Sequence, residues 1–235
     1  MKRVFTALLL LLIYINVSAQ GSKRVKNLPN YDQRLWHFGF TVGCNQMGFR
    51  IDRCDDFFDR SDIWGIEATK FTGFHLGPIS NLRLNRYLDL RMMFNLSFNQ
   101  RDLTYYYKEA DQTKMLNHNM SIHSTMLEFP VCIKYKAERW VNFAPYVIAG
   151  FNYKYDIGAK KEPKAEELPK IKLQSHDPSL EWGGGFDIYM QYFKLSVELK
   201  YSMGFNNILK YDDSMYTNSI NKLTSNALIL SLHFE

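Results

Sequence analysis

Beyond its first twenty residues the sequence has no long hydrophobic run: nowhere after Gln20 do about 18 apolar residues follow one another, which excludes a helical membrane protein. Cysteine is scarce. The three present, Cys44, Cys54 and Cys132, are an odd number that admits no complete disulfide framework. Cys44 and Cys54 could bridge one long connection, but the simplest reading is three small apolar side chains. A strong excess of charge is also lacking. The 29 Lys and Arg face 24 Asp and Glu, and loss of Lys2 and Arg3 with a leader leaves 27 against 24. That balance is too even to hold nucleic acid.

Signals of chemistry are equally sparse. Gly183-Gly184-Gly185 lies inside an alternating stretch and lacks the Lys and helix of a phosphate loop. The six histidines (His37, His75, His118, His123, His176, His233) show no metal-ligand spacing, and no Ser sits in a nucleophile elbow. One candidate is worth weighing. His118, His123, Ser124 and Glu128 lie close in sequence, but neighbours on a strand point to opposite faces, so His123 and Ser124 cannot form a dyad with each other. The sequence therefore predicts no enzyme, no cofactor, no metal and no small-molecule substrate.

What is present begins with a leader. Lys2 and Arg3 precede an apolar stretch from Val4 to Val17, and Val17-Ser18-Ala19 supplies a small-residue cleavage pattern between Ala19 and Gln20. Residues 1–19 read as a signal peptide, 20–34 as a polar, basic periplasmic tail, and 35–235 as one domain.

That domain is organised by alternation. From Leu88 to Phe98 the even positions (Leu88, Leu90, Met92, Phe94, Leu96, Phe98) are apolar and the odd ones (Asp89, Arg91, Met93, Asn95, Ser97) mostly polar, a period of two. Eleven residues suit a tilted membrane-crossing strand, which needs roughly 9–11. Similar stretches start at Trp36, Phe74, Leu127, Phe143, Leu180, Phe193 and Leu228. The turn Asn85-Arg86-Tyr87 sets a register in which Leu82 meets Leu90, Arg83 meets Asp89 and Asn81 meets Arg91. The turn Gln191-Tyr192 puts Asp187 opposite Ser196, with Gly185 and Gly183 opposite Glu198 and Lys200.

Long connections alternate with these short turns: Gln46–Glu67, Asp102–Met120, Asp156–Ser179 and Asn206–Ser225. Eight antiparallel strands with short turns at one end and long loops at the other make an all-β, eight-stranded up-and-down transmembrane barrel of the outer-membrane type, whose partner is lipid. Aromatic girdles agree, with Trp36, Tyr87, Trp140, Tyr192 and Phe234 at the periplasmic end and Tyr105, Tyr153, Tyr155 and Phe205 at the other. A soluble lipocalin-type barrel would turn the Leu and Phe face inward and leave Lys134, Glu198 and Lys200 in water. In the membrane barrel, Arg83, Asp89, Arg91, Glu128, Lys134, Asp187, Glu198 and Lys200 face a lumen just wide enough for side chains to fill, and Asp89 pairs with Arg83. Such a barrel does not conduct.

Several stretches carry a family resemblance. Leu127-Glu128-Phe129-Pro130-Val131 with Lys134-Tyr135, Pro145-Tyr146-Val147-Ile148-Ala149-Gly150 and Leu199-Lys200-Tyr201-Ser202 resemble motifs of Bacteroidetes outer-membrane barrels. Leu230-Ser231-Leu232-His233-Phe234 resembles an outer-membrane assembly signal, with Glu235 as a departure. The Lys- and Pro-rich third loop and Phe193-Lys194-Leu195-Ser196 through Asn206-Asn207 look most like the PorT (SprT) family. That resemblance implies a non-enzymatic part in type IX protein secretion, the export of C-terminal-signal cargo such as gingipain-type proteases. It also implies gliding machinery in some relatives, and other secretion proteins as partners. The candidate contact surfaces are the acidic first loop (Asp52 to Asp62), the basic third loop (Lys154 to Lys172) and the tail. The alternatives are a structural or adhesive OmpX-like small barrel with no secretion role and, behind it, an outer-membrane hydrolase in which His123 or Ser124 takes a partner from another strand.

Overall fold

The computed structural model describes residues 25–54, 63–108, 115–158, 171, 173–211, 217 and 219–235. The expected signal peptide with its Ala19–Gln20 cut, most of the acidic stretch of the first loop and more than half of the third loop lie outside these residues, as does the His118 side chain.

A short 3-10 turn, Tyr31–Gln33, precedes nine strand segments: β1 (Trp36–Arg53), β2 (Ile63–Arg83), β3 (Leu88–Met93), β4 (Asn95–Lys108), β5 (Met115–Lys136), β6 (Phe143–Asp156), β7 (His176–Tyr189), β8 (Lys194–Gly204) and β9 (Ile220–Phe234). All pairings are antiparallel, and β1 pairs with both β2 and β9, so the sheet closes on itself without an edge. β3 and β4 both pair with β2 on one side and β5 on the other, so they are two halves of one strand and the ring has eight members. The break falls at Phe94, which is opposite Pro78. The Phe94 amide reaches the Pro78 carbonyl at 3.2 Å, but proline has no N–H to return the bond.

The hairpin registers follow from side-chain matching. Leu82 pairs with Leu90, Arg83 with Asp89 and Asn81 with Arg91; Asp187 pairs with Ser196 and Gly185 with Glu198. The outer surface is greasy where the chain must meet lipid: Phe38 is 71 % exposed and Phe40 57 %, with Phe74, Leu76, Ile133, Val147, Leu199 and Leu230 also exposed. Trp36, Tyr87, Trp140 and Tyr192 stand exposed at the periplasmic end and Tyr153 and Phe205 at the opposite one.

The strands run further than the alternation of apolar outward residues implies. β5 has 22 residues, about twice what a tilted crossing needs. Much of what reads as long connection is therefore strand: β1 continues to Arg53, β2 starts at Ile63, β4 ends at Lys108 and β5 begins at Met115. β6, β7 and β8 are shorter, with 14, 14 and 11 residues. One side of the barrel thus stands as a tall wall above the lipid band. Within that wall the alternation keeps its period and inverts its polarity. Along β4, Leu96 and Phe98 point out and Ser97, Asn99 and Arg101 point in; further on Gln100 and Thr104 stay partly exposed, Asp102 between them is covered by the Gln100 and Asn119 side chains, and Leu103 and Tyr105 are buried. Outside the bilayer the solvent on the outer face is water, so the apolar side turns inward.

Tyr105 accordingly does not belong to a girdle. It is fully buried with Phe49, Ile66, Leu103, Met120, Ile122, Ile220 and Leu223 in an apolar core inside the tall wall. The cysteines are free. Cys44 and Cys54 lie ten residues apart along the line of β1, roughly 33 Å at strand spacing, so they cannot bridge.

Candidate functional site

A barrel's interior is the first place to look for function, and here three zones follow one another along the axis. At the periplasmic end the zone is ionic. The Arg91 guanidinium, fully buried, donates to Glu198 at 2.5 Å, to the Asn81 side-chain carbonyl at 3.0 Å and to the Tyr146 hydroxyl at 3.4 Å, and pairs with Glu235 at 3.2 Å. Tyr146 also donates to Glu198 at 2.8 Å. Lys134 donates to both Asp187 oxygens at 2.8 and 2.7 Å and lies 3.7 Å above the Tyr146 ring; the Ser196 hydroxyl completes Asp187 at 2.6 Å. Burying bare charges would cost several kcal/mol each, so opposite signs must meet.

The middle zone repeats the logic. Lys200 pairs with Glu181 at 3.0 Å and Glu198 at 3.4 Å. Asn152 donates to Glu181 at 2.6 Å and Glu128 at 3.2 Å. Lys154 donates to Ser202 at 2.7 Å. Gly183 and Gly185 leave this column its room: a Cβ on Gly185 would run into the Val197 carbonyl oxygen and come 2.8 Å from the Tyr146 ring and hydroxyl, and one on Gly183 would run into the Leu199 carbonyl oxygen. Towards the outside, Arg101 donates to Ser124 at 2.6 Å and Ser225 at 3.2 Å and stacks 4.5 Å from the Phe49 ring.

Above Arg101 the third zone is apolar among the described residues. Two connections fold into the mouth. Ile171 and Leu173 follow β6 and Ile208 and Leu209 follow β8, all buried in the core of the tall wall. Leu173 and Leu209 form a β-bridge, the Gln174 amide donates to the Ile208 carbonyl at 2.8 Å, and the Ile208 amide to Leu223 at 2.9 Å. The short side of the barrel supplies loops that cover the space enclosed by the tall side.

The periplasmic opening is covered by the tail. Tyr31 stacks on His37 with centroids 4.1 Å apart, and its hydroxyl donates to Glu235 at 3.1 Å. Burial and the adjacent Glu235 carboxylate hold that phenol above its usual range, so it stays a donor. The Asp32 carboxylate accepts from Tyr189 at 2.8 Å and from Arg139 at 3.4 Å. Glu235 is no stray addition after Phe234: alternation turns it inward, where Lys194 meets it at 2.6 Å and Asn81 at 2.5 Å.

Of the residues the sequence assigns to the lumen, Asp89, Arg91, Glu128, Lys134, Asp187, Glu198 and Lys200 are buried inside. Arg83 is not paired with Asp89, although their Cα atoms are partners. It reaches past the rim to the Asp32 backbone carbonyl, and Asp89 pairs with Lys136 of β5 at 3.0 Å. The tail offers acceptors at the rim that no strand-to-strand argument includes. Sequence reasoning missed Arg101, Glu181, Lys194 and Glu235, all at inward parity. It also missed Lys154, taken for part of the basic third loop but buried on β6. Ser124 points inward to Arg101 while His123 is exposed on the outside, so the structure does not bring these two together. Among the described residues no cluster of His, Cys, Asp and Glu could hold a metal ion.

A family model described as "Outer membrane protein beta-barrel domain" matches residues 18–210. Among solved structures, the outer membrane protein OprG from Pseudomonas aeruginosa is similar at 16 % identity, covering 83 % of this chain and 93 % of that one, with a TM-score of 0.48. Neisserial surface protein A is similar at 13 % identity over 84 % and 97 % of the two chains, with a TM-score of 0.41. The attachment invasion locus protein Ail of Yersinia pestis is 13 % identical over 84 % and 96 %, with a TM-score of 0.37. No curated protein matches significantly. With its closed ring, lipid-facing girdled surface and a family match over most of its length, this chain belongs to the outer membrane protein beta-barrel domain family and resides in the cell outer membrane.

Proposed function

We propose that this protein is a closed, non-conducting outer-membrane barrel whose working surface is the tall extracellular wall, a structural or adhesive role without catalysis. The observation that carries it is what the described interior holds: buried ion pairs at the periplasmic side and a buried apolar cluster at the outer one. Nothing then passes through, and the invested length of β1, β2, β4, β5 and β9 is left to present a polar face above the lipid. Arg50, Lys70, Glu67 and Lys222 are exposed there. Two measurements test this. The purified protein in planar bilayers should give no conductance steps. Cells lacking the gene should lose surface adhesion, or outer-membrane robustness, with unchanged uptake of small solutes. Stable channels, or unaltered adhesion and robustness in the deletion, would refute it.

The finer reading, a part in type IX secretion, rests on the resemblance to PorT and is supported by one further feature. The tail is folded against the barrel, giving the periplasmic side an ordered surface that a secretion partner could grip. Under this reading the same deletion leaves C-terminal-signal cargo in the periplasm; normal cargo display removes it.

A further inference from the structure

The tail and two periplasmic turns enclose a cleft of about 300 Å³ between residues 26–33, the turn after β2 and the turn after β5. Five cations line it, Lys26, Arg83, Arg86, Lys136 and Arg139, against two carboxylates, Asp32 and Glu138. Both carboxylates are already engaged: Asp32 by Arg139 and Tyr189, Glu138 by Arg86. Arg139 is spent on holding the tail, donating to the Asn27, Leu28 and Val141 carbonyls. Lys136 is paired with Asp89 at 3.0 Å, behind the cleft. Lys26 is exposed, Arg83 donates to the Asn85 and Asp32 backbone carbonyls and meets no carboxylate among the described residues, and Arg86 shares with Glu138 a pair more than 60 % exposed on both sides. Positive charge in the cleft therefore exceeds what its carboxylates balance.

Its position selects the anion. Tyr87 forms one wall, is exposed on the lipid side and packs near Tyr135 at 6.5 Å, and the Arg86 guanidinium lies 5.5 Å over its ring. The cleft thus opens at the aromatic girdle, at the level where headgroups of the inner leaflet sit. We infer that this cleft binds the phosphate of an anionic phospholipid headgroup from the periplasmic leaflet, with Lys26, Arg83 and Arg86 as the phosphate-facing cations. The alkyl chains would run up the greasy outer surface beside Tyr87 and Tyr135, and a guanidinium matches phosphate geometry better than an ammonium does.

The test uses the full barrel in nanodiscs containing phosphatidylglycerol and phosphatidylethanolamine in equal amounts, with co-purifying lipid counted by native mass spectrometry. Wild type should retain phosphatidylglycerol preferentially. The double variant Lys26→Gln/Arg86→Gln removes two exposed side chains and should keep the barrel folded, as judged by heat-modifiable migration. Its preference should fall about fivefold per cation lost, roughly 25-fold together. Equal retention of the two lipids by wild type, or an unchanged preference in the variant, overturns the inference. Inorganic phosphate at millimolar concentration should not displace the bound lipid. Full displacement would assign the cleft to a soluble anion and overturn the lipid assignment.

Discussion

Arg91 is the side chain on which the interior is most exposed to test. Replacing it with Met keeps an unbranched apolar stem and removes the guanidinium and its charge. Glu198 then loses its 2.5 Å partner but keeps the Tyr146 hydroxyl at 2.8 Å and Lys200 at 3.4 Å, while Glu235 keeps Lys194 at 2.6 Å. The two ion-paired hydrogen bonds, to Glu198 and Glu235, disappear, each worth about 1.5–3 kcal/mol, and the Asn81 side-chain carbonyl and the Tyr146 hydroxyl lose their donor at 3.0 and 3.4 Å. Removing one partner of a buried pair characteristically costs about 3–5 kcal/mol, and the surviving contacts of both carboxylates place Arg91→Met inside that range. The assay is reversible urea unfolding in micelles, followed by the mobility difference between folded and unfolded barrel. A double-mutant cycle sharpens it. In Arg91→Met/Glu198→Gln the carboxylate left without its partner is neutralised, so the double variant should be less destabilised than the two single changes added together. A loss below about 1 kcal/mol, or strict additivity, would mean the lumen is hydrated and the charges are screened by water rather than by each other.

Phe94→Arg, on the lipid-facing surface opposite Phe129, should cost about 2–4 kcal/mol in the same assay if it sits near the bilayer midplane; tolerance would mean the barrel is inside out. Gly185→Val places atoms against the Tyr146 ring and hydroxyl and should destabilise the barrel by about 1–3 kcal/mol, a value to be read from its urea midpoint. Cys44, exposed to lipid, should react with a membrane-soluble maleimide in the folded protein, while buried Cys132 should react only after unfolding; the reverse order by mass spectrometry would contradict the facing of β1 and β5. Leu209→Asp puts a carboxylate into the apolar plug and should make the outer connections protease-sensitive while the membrane-embedded part stays folded, as gel mobility would report.

The sequence determined the barrel's membrane-embedded part. Alternation of period two, matched hairpin registers and aromatic residues at strand ends are local quantities, and a single one-residue slip would have put every Leu and Phe inside. Parity along each strand also carries the lumen: Glu181 between Leu180 and Trp182, Lys194 between Phe193 and Leu195 and Glu235 after Phe234 all face inward by the rule that placed Lys134 and Glu198. What only the tertiary structure decided lies at the two ends. Above the lipid the outer solvent becomes water, so the same period reverses its polarity; Leu103 and Met120 then look like loop residues, and Tyr105 like a girdle residue, when each strand is read against lipid alone. The closing contacts join residues remote in sequence, Leu173 with Leu209 and Asp32 with Arg83 and Arg139, and no local pattern encodes them. Periodicity reports which side of a strand is greasy. It takes the closed ring, and the solvent around each part of it, to say whether that side meets lipid, a plug or a folded tail.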